Sequence, residues 1–253
     1  MPPASLPAFN LPRRSLEELG FDAADAQILQ HAVRAPLGLV LAVGPGRSGL
    51  STTLAALRAA LPADAAGRPP GELLLDPPPS PAALRRAIAA VPAGHRVFSS
   101  LALERAAHVF GHFRASGLNP ALLARDLLLV VAQRRVTRLC PACRQPDRGT
   151  ALRHALALAS NSWLSGTAVE ACVPRPGGCE SCAGSGFAGH VLAYEYMRVD
   201  SGVRALAEQG TVGLDLEQAI FADGRSLWDS GLRRVARGDC SLDSLRAAVR
   251  EPS

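Results

Sequence analysis

The chain has 253 residues, of which 48% are hydrophobic, 19% are charged and 4% are aromatic, a composition typical of a soluble globular protein with one large core or two small ones. All 27 basic residues are arginines spread along the chain, so the formal net charge of +5 is no evidence for a nucleic-acid-binding surface. The longest apolar runs, at 37–43 and 127–132, are too short to span a membrane.

Residues 1–20 are rich in proline and predict a linker or the edge of a truncated domain. After them, segments with helical spacing of apolar residues alternate with short apolar runs typical of buried strands. Helices are predicted at 22–35, 52–61, 82–91, 104–116, 119–128 and 151–159, and strands at 37–43, 72–75, 96–101, 130–138 and 190–199, with short helices thereafter. This alternation predicts an α/β fold with a mainly parallel sheet.

A glycine-rich loop, GPGRSGLS at 44–51, lies between the first predicted strand and the following helix. It fits the phosphate-binding pattern G-x-x-x-x-G-K-[ST] except that Leu50 stands at the lysine position. Backbone amides at a helix N-terminus bind anions without a lysine, and two hydroxyls remain for Mg²⁺. A tight turn kept for packing is the alternative. The residual, weak nucleotide site would comprise Gly44, Pro45, Gly46, Arg47, Ser48, Gly49, Ser51 and Thr52.

Two CxxC pairs, Cys140/Cys143 and Cys179/Cys182, have the spacing of two zinc knuckles. Four thiolates would fill a tetrahedral site and leave no position for water, so the predicted Zn²⁺ is structural. Reduced, unrelated thiols and a redox-active CxxC are the alternatives. Cys172 and Cys240 have no partner at ligand spacing and are interpreted as ordinary thiols.

The sequence LLLVVAQRRVTRLCPAC at 127–143 resembles the "LLGVVAQRLVRRLCPxC" segment of the type II secretion and type IV pilus assembly ATPases. Residues 178–195, GCESCAGSGFAGHVLAYE, resemble their second knuckle, "GCxxCxGTGYxGRxxxYE". Residues 226–238 are similar to "TLxxDGLxKVxxG", 241–249 to "TSLEEVLRV", and 16–53 to the start of the motor domain. The resemblance covers nearly the whole chain, with its motifs in the same order.

The resemblance implies a shortened RecA-like P-loop core, a tetracysteine zinc subdomain and a small C-terminal helical region. The expected boundaries are 1–20 for the linker, 21–139 for the degenerate P-loop domain, 140–198 for the zinc subdomain and 199–253 for the helical region. Members of this family are hexameric motors at the cytoplasmic face of the inner membrane. We therefore expect a cytoplasmic protein, peripheral to that membrane through its partners.

Compared with the family's loop "GPTGSGKT", Leu50 replaces the lysine and Arg47 replaces a glycine. If that glycine has a positive φ, any Cβ there strains the loop, although the Arg47 guanidinium suits phosphate oxygens. The family's "EDP" box is matched to Leu75-Asp76-Pro77. Leu75 cannot act as a general base, and Asp76 either faces a metal ion or forms a turn.

Two further departures remove other parts of the reaction. The acidic "VGEIRD" segment, which provides the partner for Mg²⁺, has no counterpart between Pro77 and Ala82. The family's "STLHTN" reads SSLALE at 99–104, so Ala102 stands in place of the histidine. His95 matches the glycine–histidine pair before this strand and is interpreted as structural.

The four departures predict a non-hydrolysing pseudo-ATPase that joins or regulates a ring of active motor subunits, or docks on the inner-membrane platform protein. The first alternative is a subunit that binds ATP without hydrolysing it, and the second is a zinc-ribbon nucleic-acid binder, which the scarce aromatic residues disfavour. A nonfunctional gene remnant is a further alternative. Four arginines form a cluster around the first cysteine pair: Arg134, Arg135, Arg138 and Arg144. The cluster is interpreted either as a contact surface for an acidic subunit or lipid headgroups, or as a solvated face.

Overall fold

The computed structural model describes residues 14–35, 37–61, 72–75, 81–149, 169–221 and 225–250. The chain divides into two compact units, each discontinuous in sequence. The first unit takes its residues from Met1–Ala132 and Tyr196–Ile220, and the second from Gln133–Glu195 and Phe221–Ser253. The division into four consecutive segments expected from the sequence stays a prediction. The helix predicted at 151–159 lies outside the described residues.

The first unit is an α/β layer built on a sheet with the strand order β2-β3-β1-β4-β7. Its strands are β1 (Gly38–Val43), β2 (Glu72–Leu75), β3 (Arg96–Leu101) and the first part of β4 (Leu127–Leu139), with the end of β7 (Phe187–Arg198). Its helices are α1 (Ala23–Ala32), α2 (Leu50–Ala59), α3 (Pro81–Ala90), α4 (His108–Ala115), α5 (Pro120–Asp126), α6 (Ser201–Glu208) and most of α7 (Leu214–Phe221).

The central strand β1 pairs in parallel with β3 on one side and β4 on the other, and β2 pairs in parallel with β3. Every residue of β1 and β3 is buried. Strands covered on both faces favour apolar side chains, and β1 is accordingly a continuous apolar run, whereas β3 also buries the polar side chains of Arg96, Ser99 and Ser100. The α/β fold with a mainly parallel sheet is confirmed.

A single glycine allows β1 and β4 to pair closely. Gly38 has a φ of +145°, and a Cβ at this position would overlap the side chain of Leu128. The pairing register between β1 and β4 shifts between Leu39 and Val40, so Leu128 is the extra residue of a bulge. The Leu128 side chain therefore packs over Gly38, where glycine leaves the room that any Cβ would fill.

Several predicted boundaries in this unit differ from the structure, including those of α4 and α5. Helix α4 begins at His108 instead of residue 104, because the preceding residues form tight turns in which His108 N donates to Arg105 O (3.2 Å). Arg105 is also fixed by an ion pair with Glu217 at 2.5 Å. The predicted cap of α5 is confirmed, since the Asn119 side chain accepts from Ala121 N, but the helix ends at Asp126, where β4 begins.

The second unit contains the remaining parts of β4 and β7, the short antiparallel pair β5 (Gln145–Pro146) and β6 (Cys172–Val173), and the helices α8 (Leu227–Ala236) and α9 (Leu242–Ala248). Its apolar core is formed by side chains from β4, β7, α8 and α9, including Val136, Ala193, Trp228, Leu232 and Leu245. This core lies beside the cysteine-bearing loops along the chain, so it is the scaffold from which they project.

Helix α8 is tied to β7, the last strand in the sheet order, by side chains that bond to the backbone. Tyr194 N donates to Ser230 Oγ (3.1 Å), and Arg234 Nε donates to Leu192 O (3.3 Å). The buried carboxylate of Glu195 accepts from Leu227 N (2.8 Å) at the N-terminus of α8. Groups that a lone edge strand would leave unpaired are thus satisfied by one helix.

No helix in the described part of the chain combines the length and the apolar character that a bilayer crossing requires.

Candidate functional site

The glycine-rich loop connects β1 to α2, which is the strand–loop–helix context that its sequence predicts. Gly44 N donates to Leu101 O (3.1 Å), so the start of the loop is held against the end of β3. Ser48 is buried, and its N–H donates to Pro45 O at 3.3 Å. Residues 45–47 are exposed. The backbone thus presents a compact turn at the carboxyl edge of the parallel strands, where α/β sheets bind ligands.

Two residues of the loop have left-handed backbone conformations. Gly49, the residue before α2, has a φ of +90°, and Arg47 has a φ of +65°. Position 47 therefore has the positive φ for which glycine is favoured, and a residue with a Cβ costs about 1–2 kcal/mol there. The exposed Arg47 side chain leaves the loop toward solvent instead of packing beneath it.

The lysine position is occupied by the first residue of α2. Leu50 is half-buried, and its hydrocarbon side chain has no donor for a phosphate oxygen. Ser51 and Thr52 follow in the first helical turn and are also half-buried, whereas Thr53 is buried. The loop keeps its backbone amides and two hydroxyls but has lost the cation at its centre.

Two of the other positions matched to the family's catalytic motifs, Leu75 and Ala102, lie at the carboxyl ends of β2 and β3. Leu75 is the last residue of β2 and pairs with Ser99 of β3, so β2 fills the place next to β3. Asp76 follows directly but lies outside the described residues. Ala102 follows β3 and is exposed, and His95 precedes β3 and is half-buried. Leu75 and Ala102 thus lie at the same edge of the sheet as the loop, whereas His95 lies at the opposite edge.

The four paired cysteines converge in the second unit. Their Sγ atoms all lie within 4.8 Å of one another, and three of the separations are 3.7 Å (Cys179–Cys182), 3.8 Å (Cys140–Cys179) and 3.9 Å (Cys143–Cys182). A tetrahedron with zinc–sulfur bonds of about 2.3 Å has edges of about 3.8 Å. The donor set and its geometry therefore fit one tetrahedral metal ion.

Close backbone approach shapes this cluster. Gly178 is buried with a φ of +58°, and a Cβ there would lie 2.6 Å from Gly184 O and 2.7 Å from Gly186 N. Cys140 N donates to Gly186 O (2.9 Å), which joins the first knuckle to the second. The sequence motif named the cysteines, but Gly178 and Gly186 were not predicted as site residues. Glycines at both ends of a knuckle are the signal that could have identified them.

Hydrogen bonds and burial give two of the thiols opposite acidities. Cys182 Sγ accepts from Cys179 N and from Gly186 N, both at 3.2 Å, and these donors lower the pKa of Cys182 to about 6. Burial, together with hydrogen bonds from the neighbouring thiols, raises the pKa of Cys143 to about 12. At neutral pH the cluster contains a preformed thiolate beside a thiol that must lose its proton before binding a metal.

The two remaining cysteines lie apart from this cluster. Cys240 is fully buried in the core of the second unit, and burial raises the pKa of its thiol to about 12. Cys172 is half-buried in β6 and donates to Glu170 O at 3.2 Å. Their positions agree with their interpretation as ordinary thiols.

The arginine cluster does not form a uniform surface. Arg134 is buried and donates to Gln133 O (2.9 Å), and the half-buried Arg144 donates to Gly238 O (2.7 Å). Arg135 is exposed and lies 2.8 Å from His190 Nδ1, and Arg138 is exposed. Half of the cluster therefore serves the packing of the second unit.

Comparison with known proteins agrees with the motifs. A family model described as type II/IV secretion system protein matches residues 81–247. The type II secretion system protein E of Aeromonas hydrophila is 28% identical over 281 residues, which cover 94% of this chain and 54% of that protein. The type IV pilus assembly ATPase PilB of Myxococcus xanthus is 26% identical, with coverage of 91% and 47%. The chain thus spans about half the length of the curated relatives it matches.

The alignment with the Aeromonas protein is longer than this chain, so it includes residues of that relative that have no counterpart here. Solved structures show the same fold. The pilus retraction motor PilT with bound ADP has a TM-score of 0.63 at 15% identity, with 98% of this chain and 69% of that chain covered. The Legionella pneumophila ATPase DotB has a TM-score of 0.56 at 15% identity, with coverage of 93% and 65%. Since the family model matches well over half of its residues, the chain belongs to the type II/IV secretion system protein family.

Proposed function

We propose that the chain is a non-hydrolysing subunit of a protein secretion or pilus assembly machine, which acts through contacts with other proteins. The observation that carries this proposal is Leu50, an apolar side chain at the start of α2 where nucleotide loops of this pattern have a lysine. A lysine about 4 Å from a phosphate charge contributes about 4 kcal/mol at an effective dielectric of 20. Its loss weakens phosphate binding by up to about a thousandfold.

Two further substitutions support the loss of turnover. Leu75 and Ala102 have no group that can accept a proton or stabilise charge, and they lie at the carboxyl ends of β2 and β3. General-base catalysis contributes about 10²–10⁴-fold to such reactions. A chain that lacks both the phosphate-binding lysine and the general base keeps the fold of a motor domain, but we expect it not to hydrolyse ATP.

The first prediction concerns turnover. Purified protein with Mg-ATP should release no phosphate above a heat-denatured control in a coupled phosphate assay. Leu50→Lys should strengthen ATP binding but leave turnover at background, because Leu75 and Ala102 are unchanged. Turnover by the unmodified chain that Ser51→Ala abolishes would contradict the proposal.

A nucleotide-binding subunit that senses ATP without hydrolysing it is the second candidate. It is favoured by the retained loop geometry, with left-handed residues at Arg47 and Gly49 before the α2 N-terminus and hydroxyls at Ser51 and Thr52. Titration calorimetry separates the two candidates. Saturable ATP binding in the micromolar range that Arg47→Ala weakens would favour the sensor, and no heat of binding would favour the purely structural role.

Zn²⁺ is the ion that we propose for the tetracysteine cluster. The support is the donor set of four thiol sulfurs at separations close to a tetrahedral edge of about 3.8 Å. The four side chains of Cys140, Cys143, Cys179 and Cys182 would hold it, and the ion would supply folding energy to the loops and no catalysis. Metal analysis of the purified protein should find one zinc per chain, and fewer in Cys143→Ser.

The proposed partners are full-length motor subunits of the same machinery, as a mixed or uniform ring, or the inner-membrane platform protein. This proposal is supported by the family of the chain and by its similarity to proteins of type II secretion and type IV pilus assembly. The proposed location is therefore cytoplasmic, peripheral to the inner membrane. Affinity purification from the native cell extract distinguishes the partners: a copurifying motor supports the ring, a copurifying platform protein supports docking, and recovery of neither contradicts both.

A further inference from the structure

Helix α4 carries two histidines, His108 and His112, one helical turn apart. Residues at i and i+4 lie on the same face of an α-helix, about 5–6 Å apart at Cβ. Val109, Phe110 and Phe113 form the buried face of α4. Both histidines lie beside this face and are half-buried, so their rings are anchored near the helix while remaining accessible to solvent.

The helical face that carries the two histidines has few other side chains. Residues 108, 111, 112 and 115 share one helical face, and the other two members of this set are Gly111 and Ala115. A Cβ added at Gly111 would meet no atom within 4 Å. Two imidazoles therefore lie next to each other on a face that carries no other long side chain from α4.

Neither imidazole is engaged by the rest of the described chain. The His112 ring makes an edge-to-face contact with Phe113 at a centroid distance of 6.0 Å, and no side-chain hydrogen bond or ion pair among the described residues involves His108 or His112. His190 differs, because its Nδ1 is 2.8 Å from Arg135 Nη2, and the cost of burial together with this cation lowers its pKa. The ring nitrogens on α4 are thus available to an external ligand.

We propose that His108 and His112 form a second metal site, which chelates a borderline divalent cation such as Ni²⁺, Cu²⁺ or Zn²⁺. Imidazole nitrogen suits these ions, and two histidines at i and i+4 of one helix can bind a single ion. The described residues bring no third histidine, cysteine or carboxylate into ligand range of this pair. The remaining coordination positions are left to water or to a ligand from another molecule, so this site is open and exchangeable, unlike the closed set of four cysteines.

The test measures Ni²⁺ uptake by the full chain at pH 7.5, by equilibrium dialysis against NiCl₂ in a buffer that does not bind metals. The unmodified chain should bind one more equivalent of Ni²⁺ than the double variant His108→Ala/His112→Ala. Each single substitution, His108→Ala or His112→Gln, should weaken this equivalent by about tenfold or more, since loss of second-shell support alone costs that much at metal sites. The four cysteines are unchanged in every variant, so uptake by their cluster cancels from the difference.

His31→Ala is the matched control, because His31 is an exposed histidine on helix α1 with no histidine four residues away. It should leave Ni²⁺ uptake unchanged. Far-ultraviolet circular dichroism of every variant confirms that α4 is still folded, and His112→Gln keeps a polar side chain of similar size in case His112→Ala unfolds it. Equal uptake by the unmodified chain and the double variant would overturn the proposal, as would a loss of uptake in His31→Ala equal to that of the single α4 variants.

Discussion

At the scale of single residues, the two candidate sites treat left-handed backbone differently. In the glycine-rich loop, Arg47 has a φ of +65°, where the backbone favours glycine, and the helical residue Leu50 occupies the position of a charged group. In the tetracysteine cluster, the position with a crowded backbone is a glycine, Gly178. The loop thus accommodates a Cβ at Arg47 at the cost of backbone strain, whereas a Cβ at Gly178 would displace the cluster.

Gly178→Ala should therefore impair metal binding more than its change in size suggests. A Cβ at this position meets the backbone of Gly184 and Gly186, which cannot move without moving the Cys182 thiolate. Displacing the backbone that donates to the Cys182 sulfur should weaken zinc affinity by about 10–100-fold, measured by competition with a chromophoric chelator.

The control is Gly177→Ala. Gly177 also has a positive φ, +74°, but a Cβ there would meet nothing within 4 Å. Both substitutions strain the backbone, so the difference between them isolates the close approach. Equal affinities would show that the glycine at 178 is needed only for its φ.

At the scale of the elements, the sequence predicted which helices and strands exist better than it predicted the residues at which they begin and end. Strands β2 and β3 were predicted at their observed bounds, and each contains a short apolar stretch, at 73–75 and at 97–98. Strand β4 is longer than predicted at both ends, since it continues from a buried run into residues that alternate between exposed and buried. Its start at Leu127 depends on pairing with β1, a long-range contact that no local pattern contains.

The packing of α8 against α9 gives the clearest stability prediction. Helical glycine is normally less stable than alanine by about 1 kcal/mol, so Gly231→Ala on helix propensity alone would stabilise α8. A Cβ at Gly231 would instead overlap the Leu245 side chain in a core where both residues are buried. We expect Gly231→Ala to lower the free energy of unfolding by about 1–3 kcal/mol, measured by urea denaturation.

Two further variants check the cause. Gly111→Ala, in helix α4 with no atom within 4 Å of an added Cβ, should raise stability by about 0.5–1 kcal/mol. Leu245→Ala removes the overlapping side chain, so the double variant with Gly231→Ala should be more stable than the sum of the single effects predicts. Strict additivity would exclude the overlap as the cause.

At the scale of the whole molecule, the sequence predicted the α/β layer and the cysteine cluster, while the expected domain boundaries stay a prediction. The two compact units exchange segments, with β4 and β7 each contributing residues to both. Local sequence patterns do not show which distant strands pair, so they do not show which segments of the chain form one compact unit. The four cysteines were predictable for the opposite reason: their chemistry is local, and each pair has the spacing of a knuckle.

The metal should couple the second unit to pH. A structural zinc site can contribute on the order of 10 kcal/mol to folding, so a strong chelator should markedly lower the melting temperature. The proposed zinc ion would have to displace the proton of Cys143, whose pKa is about 12, so its binding should tighten as the pH rises from 6 to 8. Cys182, with a pKa of about 6, also becomes protonated at more acidic pH, which should steepen the loss of zinc there.

Calorimetry in buffers of different ionisation enthalpy should show this proton release directly. Cys240→Ser is the control, because its thiol is buried away from the cluster and should not change the number of protons released. A zinc affinity independent of pH between 6 and 8 would contradict the proposed role of the thiols.

The bonding of α8 to β7 has a consequence for assembly. Three residues of α8 form hydrogen bonds with the segment of β7 from Leu192 to Glu195. Ser230 and Arg234 bond to its backbone, and the Leu227 N–H bonds to the Glu195 carboxylate. A strand from another chain cannot extend the sheet along that segment without first removing the helix. Any partner of this region must therefore recognise side chains on helices and loops, and the same helix protects β7 from the strand-to-strand aggregation to which open sheet edges are prone.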